Sequence, residues 1–195
     1  SGAGKTTISR LLSQKLNCTY VDTGALYRGV AYEISRQNIN WKNDDKLSDF
    51  LKHLAINFIS VKGEFVLQSG GIDISDLIRT TEISMLASAS SAKPQVRSAL
   101  LNIQKNIAEH QDAVFEGRDM GTVVFPDASF KFFLFSNLDI RAKRRFEEIF
   151  GEKTDLKKVK QDMAKRDTND SQRSEAPLKP AEDAISIDSS NLTID

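Results

Sequence analysis

The sequence predicts an α/β chain, a parallel sheet with helices on both faces. Three observations predict it. The chain opens on SGAGKTT, and its Gly4-Lys5-Thr6 is the second half of the phosphate-loop pattern G-x-x-x-x-G-K-[ST]. Short apolar strands then alternate with helical stripes, the order of a parallel sheet with crossover helices. One β-hairpin breaks the alternation and reads as an insert.

Each element follows from its spacing. Ile8, Leu11, Leu12 and Leu16 recur at helical intervals, so 5–16 is an amphipathic helix directly after the glycines. Cys18 to Val21 is a short strand ending at Asp22, and 26–37 is helical. A charged patch, Lys42 to Lys46, reads as surface. Ile56, Phe58 and Val61, then Lys62-Gly63-Glu64, then Phe65 to Leu67 give the hairpin, closed by Gly70-Gly71. The region that does not fit the alternation spans about 40–74. Residues 75–91 read as helix. Pro94 precedes Val96, Leu100, Ile103 and Ile107, a second helical stripe. Ala113 to Phe115 and Phe130 to Phe135 are strands, with a helix at 139–149 between the latter and a very polar stretch at 151–175. Leu156, Val159 and Met163 give that stretch one thin apolar stripe, enough for a helix laid on a surface but not for a core. Ile185 to Ile187 is a last strand.

Composition narrows the class. The chain has 195 residues, 39% hydrophobic and 28% charged, as a soluble globular protein has. Lys plus Arg and Asp plus Glu balance at 27 each, against a bulk nucleic-acid binder. Cys18 is alone, so no disulfide framework exists and a reducing cytoplasm is expected. No apolar run approaches the length of a membrane helix, about 18 residues, and no signal peptide is evident. The first residue is not Met and the loop motif is cut, so the natural N-terminus is expected upstream of Ser1.

The loop carries the first chemistry. Glycines let backbone N–H groups approach phosphate oxygens, and the following helix adds its dipole. Gly2 and Gly4 fill that role, Lys5 reaches the outer phosphates, and the Thr6 hydroxyl is the Mg²⁺ ligand. In VDTGALYRG, residues 21–29, Asp22 and Thr23 end a strand, at the edge where open α/β sheets bind ligands. An N-cap with a surface arginine, Arg28, explains the same residues without a site. In FEGRDMGTVVFPDA, 115–128, Glu116, Arg118 and Asp119 also follow a strand directly. Arg166, Asp170 and Arg173 fall at helical spacing in KRDTNDSQRSE, 165–175, so on a helix all three point one way.

At these residues a resemblance becomes specific. SGAGKTT, VDTGALYR, IRTTEIS (78–84), PQVRSAL (94–100), GRDMGTVVFPDA and RDTNDSQRSEAPLKPAEDAISIDSS (166–190) together resemble bacterial cytidylate kinases, in order along nearly the whole chain. The resemblance implies a P-loop NTPase fold of the nucleoside monophosphate kinase type. Its core would take 1–24, 88–145 and 176–195, a monophosphate-binding insert 25–87 with a small sheet, and a lid 146–175. It implies transfer of the ATP γ-phosphate to CMP, and to dCMP, with Mg²⁺.

The same resemblance assigns roles. Ser1, Gly2, Ala3, Gly4, Lys5, Thr6 and Thr7 bind ATP, joined by Arg144 and Arg145; Arg141 is also within the same helix. Lys5, Arg118 and Arg173 are the catalytic set. Arg28, Arg118 and Arg173 clamp the CMP phosphate, where guanidinium forks match phosphate oxygens in pairs. Asp119 and Arg97 read cytosine, with Thr23 beside them, and Arg166 and Asp170 take the sugar hydroxyls. The partners implied are small nucleotides, with no nucleic-acid polymer and no membrane, and a monomer is expected. Two rivals stay open at this point: a UMP or AMP kinase on the same core, and a nucleotide-dependent switch, which would usually carry N-K-x-D.

Overall fold

The computed structural model describes residues 2–61, 64–148 and 155–194. The Lys62-Gly63 turn, the 149–154 part of the expected lid and Ser1 lie outside the described residues. The chain divides into two compact units, one of residues 1–11 and 118–195, the other of 12–117.

The 12–117 unit begins within helix α1, Lys5–Leu16, and continues with strand β1, Thr19–Asp22, and helix α2, Thr23–Arg36. Asp22 ends the strand and caps the helix, its side chain accepting the Ala25 N–H at 3.2 Å. That cap starts the helix three residues before the apolar spacing alone would. Helix α3, Asp44–Lys52, occupies what the sequence offered only as a charged patch. Leu47 and Phe50 supply its buried face, and Asn43 caps it by accepting the Lys46 N–H at 2.9 Å. Two buried positions among many charges give a weak periodic signal. Strands β2, Ile56–Val61, and β3, Glu64–Ser69, form the expected antiparallel hairpin, and β4, Ile72–Asp73, adds a short third strand. The expected helix 75–91 resolves into a 3₁₀ turn, Leu77–Arg79, and helix α4, Thr81–Ser90, because Thr80 is extended and caps the latter. Helix α5, Pro94–His110, and strand β5, Ala113–Glu116, complete the unit. β5 runs parallel to β1, with Asp22 opposite Glu116.

One core holds this unit. Leu26, Val30, Ala31 and Ile34 of α2 meet Leu47, Leu67, Ile74, Ile78, Val96 and Leu100, all buried. Burial of each large side chain contributes about 1.5–3 kcal/mol. Gly29 lets α2 approach the hairpin, since a Cβ there would lie 2.7 Å from Leu67 Cδ2.

Glu33 is the buried charge of this unit, 3% exposed. Burial pushes its carboxyl up, but bonds from Arg36, Gln37 and the Ser69 hydroxyl outweigh it and hold the pKa below 4.5. Arg36 donates twice, at 2.7 and 3.0 Å, and Gln37 once at 2.7 Å. The folded value lies below the unfolded one, so this stabilisation is complete above about pH 4.5 and is lost as pH falls through the folded value. Glu33→Gln should cost about 1–2 kcal/mol at pH 7. Thermal unfolding should show that gap closing in acid. A gap independent of pH would contradict the assigned charge.

The unit of 1–11 and 118–195 holds the glycine loop, the start of α1, strand β6, Phe132–Phe135, helix α6, Leu138–Glu148, helix α7, Leu156–Gln172, and strand β7, Ile185–Asp188. β6 and β7 pair in parallel, with Phe132 opposite Ile185. Parallel pairing therefore occurs in both units, as the alternation of elements predicts. Val159 and Met163 of α7 are buried against Ala142, Leu138 and Phe146 of α6. The thin apolar stripe thus makes a small core of its own, where the sequence suggested a helix laid on a surface. No helix among the described residues is long and apolar enough to cross a membrane.

Candidate active site

The glycine loop has the geometry of an anion cradle. Gly2 and Gly4 have φ of +72° and +83°, left-handed backbone that a side chain resists. A Cβ on Gly2 would come within 2.6 Å of the Arg141 carbonyl oxygen, whereas one on Gly4 would enter open space. The loop is therefore walled by main chain on one side and open on the other. Gly4 accepts the Ile8 N–H at 3.0 Å, which makes Lys5, Thr6 and Thr7 the first turn of α1, at the positive end of its dipole. The buried Ala3 is fixed by its carbonyl, which accepts from the Ser189 hydroxyl at 2.9 Å. Gly2→Ala should weaken ATP binding by at least about tenfold, since the clash is with main chain that cannot swing away. Calorimetric titration with ATP checks this, and unchanged affinity would contradict it.

Arginines gather around this loop in the same unit. Arg144 donates to the Ser189 carbonyl at 2.9 Å, so Ser189 joins it to the loop. Arg141 donates to the Ser136 carbonyl at 2.8 Å and pairs with Asp167 at 2.7 Å. Arg145 instead pairs with Glu148 of its own helix at 3.1 Å.

A second cluster is centred on Asp170, only 2% exposed. Arg118 donates to its carboxylate, and Arg166, one helical turn earlier, has Nε 3.9 Å from the same oxygen. Arg173 directly follows the last residue of α7. It caps α7 in extended conformation, with Nε donating to the Ala176 carbonyl at 2.6 Å. Asp119 is buried at 4% exposure. Its carbonyl accepts the N–H groups of Thr122, Val123 and Val124, at 3.3, 2.9 and 3.3 Å, which fixes the residue at the head of a tight turn, Met120–Val124.

In the 12–117 unit, the paired ends of β1 and β5 carry polar side chains. Arg28 and Asp22 form an ion pair at 2.7 Å. Thr23, 1% exposed, donates its hydroxyl proton to the Glu116 carbonyl at 2.7 Å, and the Tyr20 hydroxyl donates to the Glu116 carboxylate at 2.7 Å. Arg97 stands in the first turn of α5, with one guanidinium nitrogen 3.5 Å from the Ser91 carbonyl.

A family model described as cytidylate kinase matches residues 1–195, the whole chain. The chain belongs to the cytidylate kinase family. The cytidylate kinase of Geobacter sulfurreducens is 43% identical over 197 residues, spanning 100% of this chain and 84% of that protein. Cytidylate kinase 1 of Haemophilus influenzae is 40% identical, over 100% and 85%. The cytidylate kinase of Thermosipho melanesiensis is 43% identical, over 100% and 88%. Membership makes the chain a phosphotransferase of P-loop nucleoside monophosphate kinase type.

For a member of this family, the sequence-derived site residues fall in two groups. Gly2, Ala3, Gly4, Lys5, Thr6, Thr7, Arg118, Asp119, Arg144, Arg145, Arg166, Asp170 and Arg173 belong to the unit of 1–11 and 118–195. Thr23, Arg28 and Arg97 belong to the other. Within the first group, direct pairing joins Arg118 and Arg166 to Asp170. Sequence reasoning passed over Ser189, Asp167 and the Arg141 main chain. Ser189 had a usable signal, since it follows the last strand directly, as Asp22 and Thr23 end the first. Asp167 had none, because one acid in a charged run does not announce its partner. Among the described residues no cluster of three or more His, Cys, Asp or Glu side chains could hold a metal ion.

Proposed function

We propose that this chain transfers the γ-phosphoryl group of ATP to CMP, and to dCMP, giving ADP and the diphosphate. The observation that carries the reading is the family match along all 195 residues, with named cytidylate kinases at 40–43% identity. The CMP phosphate oxygen attacks the γ-phosphorus in line as the β,γ-bridging bond breaks. Such a transfer asks little covalent chemistry of the protein. It asks for two anions held in line and for cations where charge spreads.

Lys5 spans the outer phosphates of ATP above the loop of Ser1 to Thr7, with Arg144 and Arg145 as further cations. Mg²⁺ enters as the ATP complex, with the Thr6 hydroxyl as its ligand from the chain. The open side of Gly4 supports this, since Mg²⁺ is commonly held by substrate phosphates and few protein groups. Arg28, Arg118 and Arg173 clamp the CMP phosphate. Arg118 pairs with Asp170 and Arg28 with Asp22, so each guanidinium already has a carboxylate to hold it before an anion arrives. Asp119 accepts from the cytosine N4 amino group and Arg97 donates to N3 and O2, with Thr23 beside them. Arg166 and Asp170 take the ribose hydroxyls.

The insert of 25–87 serves as the monophosphate-binding part and 146–175 as a lid that excludes water, so that ATP is not hydrolysed instead. A monomer in the cytoplasm, acting on free nucleotides, completes the reading. Incubation with ATP, Mg²⁺ and CMP, followed by ³¹P NMR, tests it. CDP and ADP should appear in equal amounts. ADP and free phosphate without CDP would overturn it.

A further inference from the structure

We infer that Tyr27 is a positioning residue for base selection, its ring face holding the Arg97 guanidinium ready for the cytosine acceptors. The inference rests on the base-reading role proposed above for Arg97.

Arg97 is out of place by helix logic. It lies in the first turn of α5, which holds no acidic residue, and a cation at the positive end of a helix dipole is disfavoured. The helix dipole therefore gives no reason for an arginine there. The Arg97 Cζ lies 5.6 Å from the centre of the Tyr27 ring, within the about 6 Å reach of a cation–π contact. The guanidinium also reaches the Ser91 carbonyl, at 3.5 Å. A planar guanidinium against an aromatic ring loses its rotational freedom in one plane while its edge N–H groups stay available to acceptors.

Tyr27 is itself well seated. Its helix, α2, is anchored by Leu26 and Val30, both fully buried, and the ring packs against that core. Thr23 lies one helical turn before Tyr27, so the two share a face of α2. The residue proposed to stand beside the base and the ring that seats its reader are thus on one rigid stripe. Ordering a long arginine before the substrate arrives removes that entropy cost from binding. Loss of the ring should therefore act on CMP affinity, through Arg97, and not on the chemical step.

The test compares Tyr27→Phe, Tyr27→Leu, Arg97→Met and the double variant Tyr27→Leu/Arg97→Met. CMP and UMP affinities and kcat are measured for each. Tyr27→Phe keeps the ring and should stay within about twofold of the parent. Tyr27→Leu should weaken CMP about three- to tenfold, change UMP by less than about twofold, and leave kcat near the parent value. In the Arg97→Met background Tyr27→Leu should have no further effect on CMP. An unchanged CMP-to-UMP ratio in Tyr27→Leu, with an altered one in Arg97→Met, overturns the role of Tyr27 while leaving the base site intact. An unchanged ratio in Arg97→Met removes the base-site reading, and this inference with it. Should Tyr27→Leu fail to fold, pentafluorophenylalanine at position 27 keeps the ring and inverts the charge of its face. CMP affinity should then fall as for leucine, and an unchanged affinity overturns the proposal.

Discussion

Lys5→Ala should lower turnover by about a thousandfold while CMP binding stays largely intact. Lys5 opens the first turn of α1 directly after Gly4, at the mouth of the glycine loop. In the role proposed for it, the ammonium meets the outer phosphates of ATP, where negative charge shifts as the γ-phosphoryl group moves. A positioned cation of this kind stabilises the transition state more than the bound substrates, so its loss falls on kcat. Removing one such group typically costs about 10²- to 10³-fold, and the charge here is a full one. CMP is held by other residues, so its dissociation constant should move little. Steady-state kinetics with calorimetric CMP binding decide the matter, and near-normal turnover would refute the phosphate-loop assignment.

Asp119→Ala should reduce kcat/KM for CMP by one to two decades and shrink the preference for CMP over UMP. Asp119 is buried, so in its proposed role its removal would leave the cytosine amino group with no water to turn to. An unpaired buried donor costs roughly 1–3 kcal/mol. At about 1.4 kcal/mol per decade this is the stated loss. UMP presents O4, an acceptor, to the same position, so truncation relieves a clash with the carboxylate instead. The main chain of Asp119 anchors the Met120–Val124 turn through its carbonyl, and alanine keeps that carbonyl. Arg28→Ala is the contrasting case. Of the substrate, Arg28 is proposed to meet only the shared phosphate, so its loss should weaken CMP and UMP by equal factors. Equal factors for Asp119→Ala would make Asp119 a phosphate-site or structural residue and end this account of base selection.

What the sequence disclosed followed from strong local signals. The helix after the glycine loop and the hairpin at 56–69 were legible because apolar spacing and turn residues agreed. Helix α3 was hidden, since only Leu47 and Phe50 mark its buried side. The start of α2 was set by a cap, Asp22, whose strength apolar periodicity does not register. The candidate site shows the same divide. Asp22, Thr23, Arg118 and Asp119 were visible as polar residues at strand ends. The hold of the Ala176 carbonyl on Arg173 Nε depends on backbone geometry at Ala176, at φ +46°, which no local spacing announces. Long-range pairs such as Arg141 with Asp167 and Arg118 with Asp170 have no local signal at all. The first follows from packing α6 on α7 through Val159 and Met163, which the sequence offered only as a thin stripe.

The central claim is that the chain phosphorylates CMP and chooses it by its base. A side-by-side measurement of kcat/KM for CMP, dCMP, UMP and AMP, with saturating ATP and Mg²⁺, tests it most directly. The account predicts CMP foremost, dCMP also accepted, and UMP and AMP well behind. UMP or AMP ahead of CMP would contradict it.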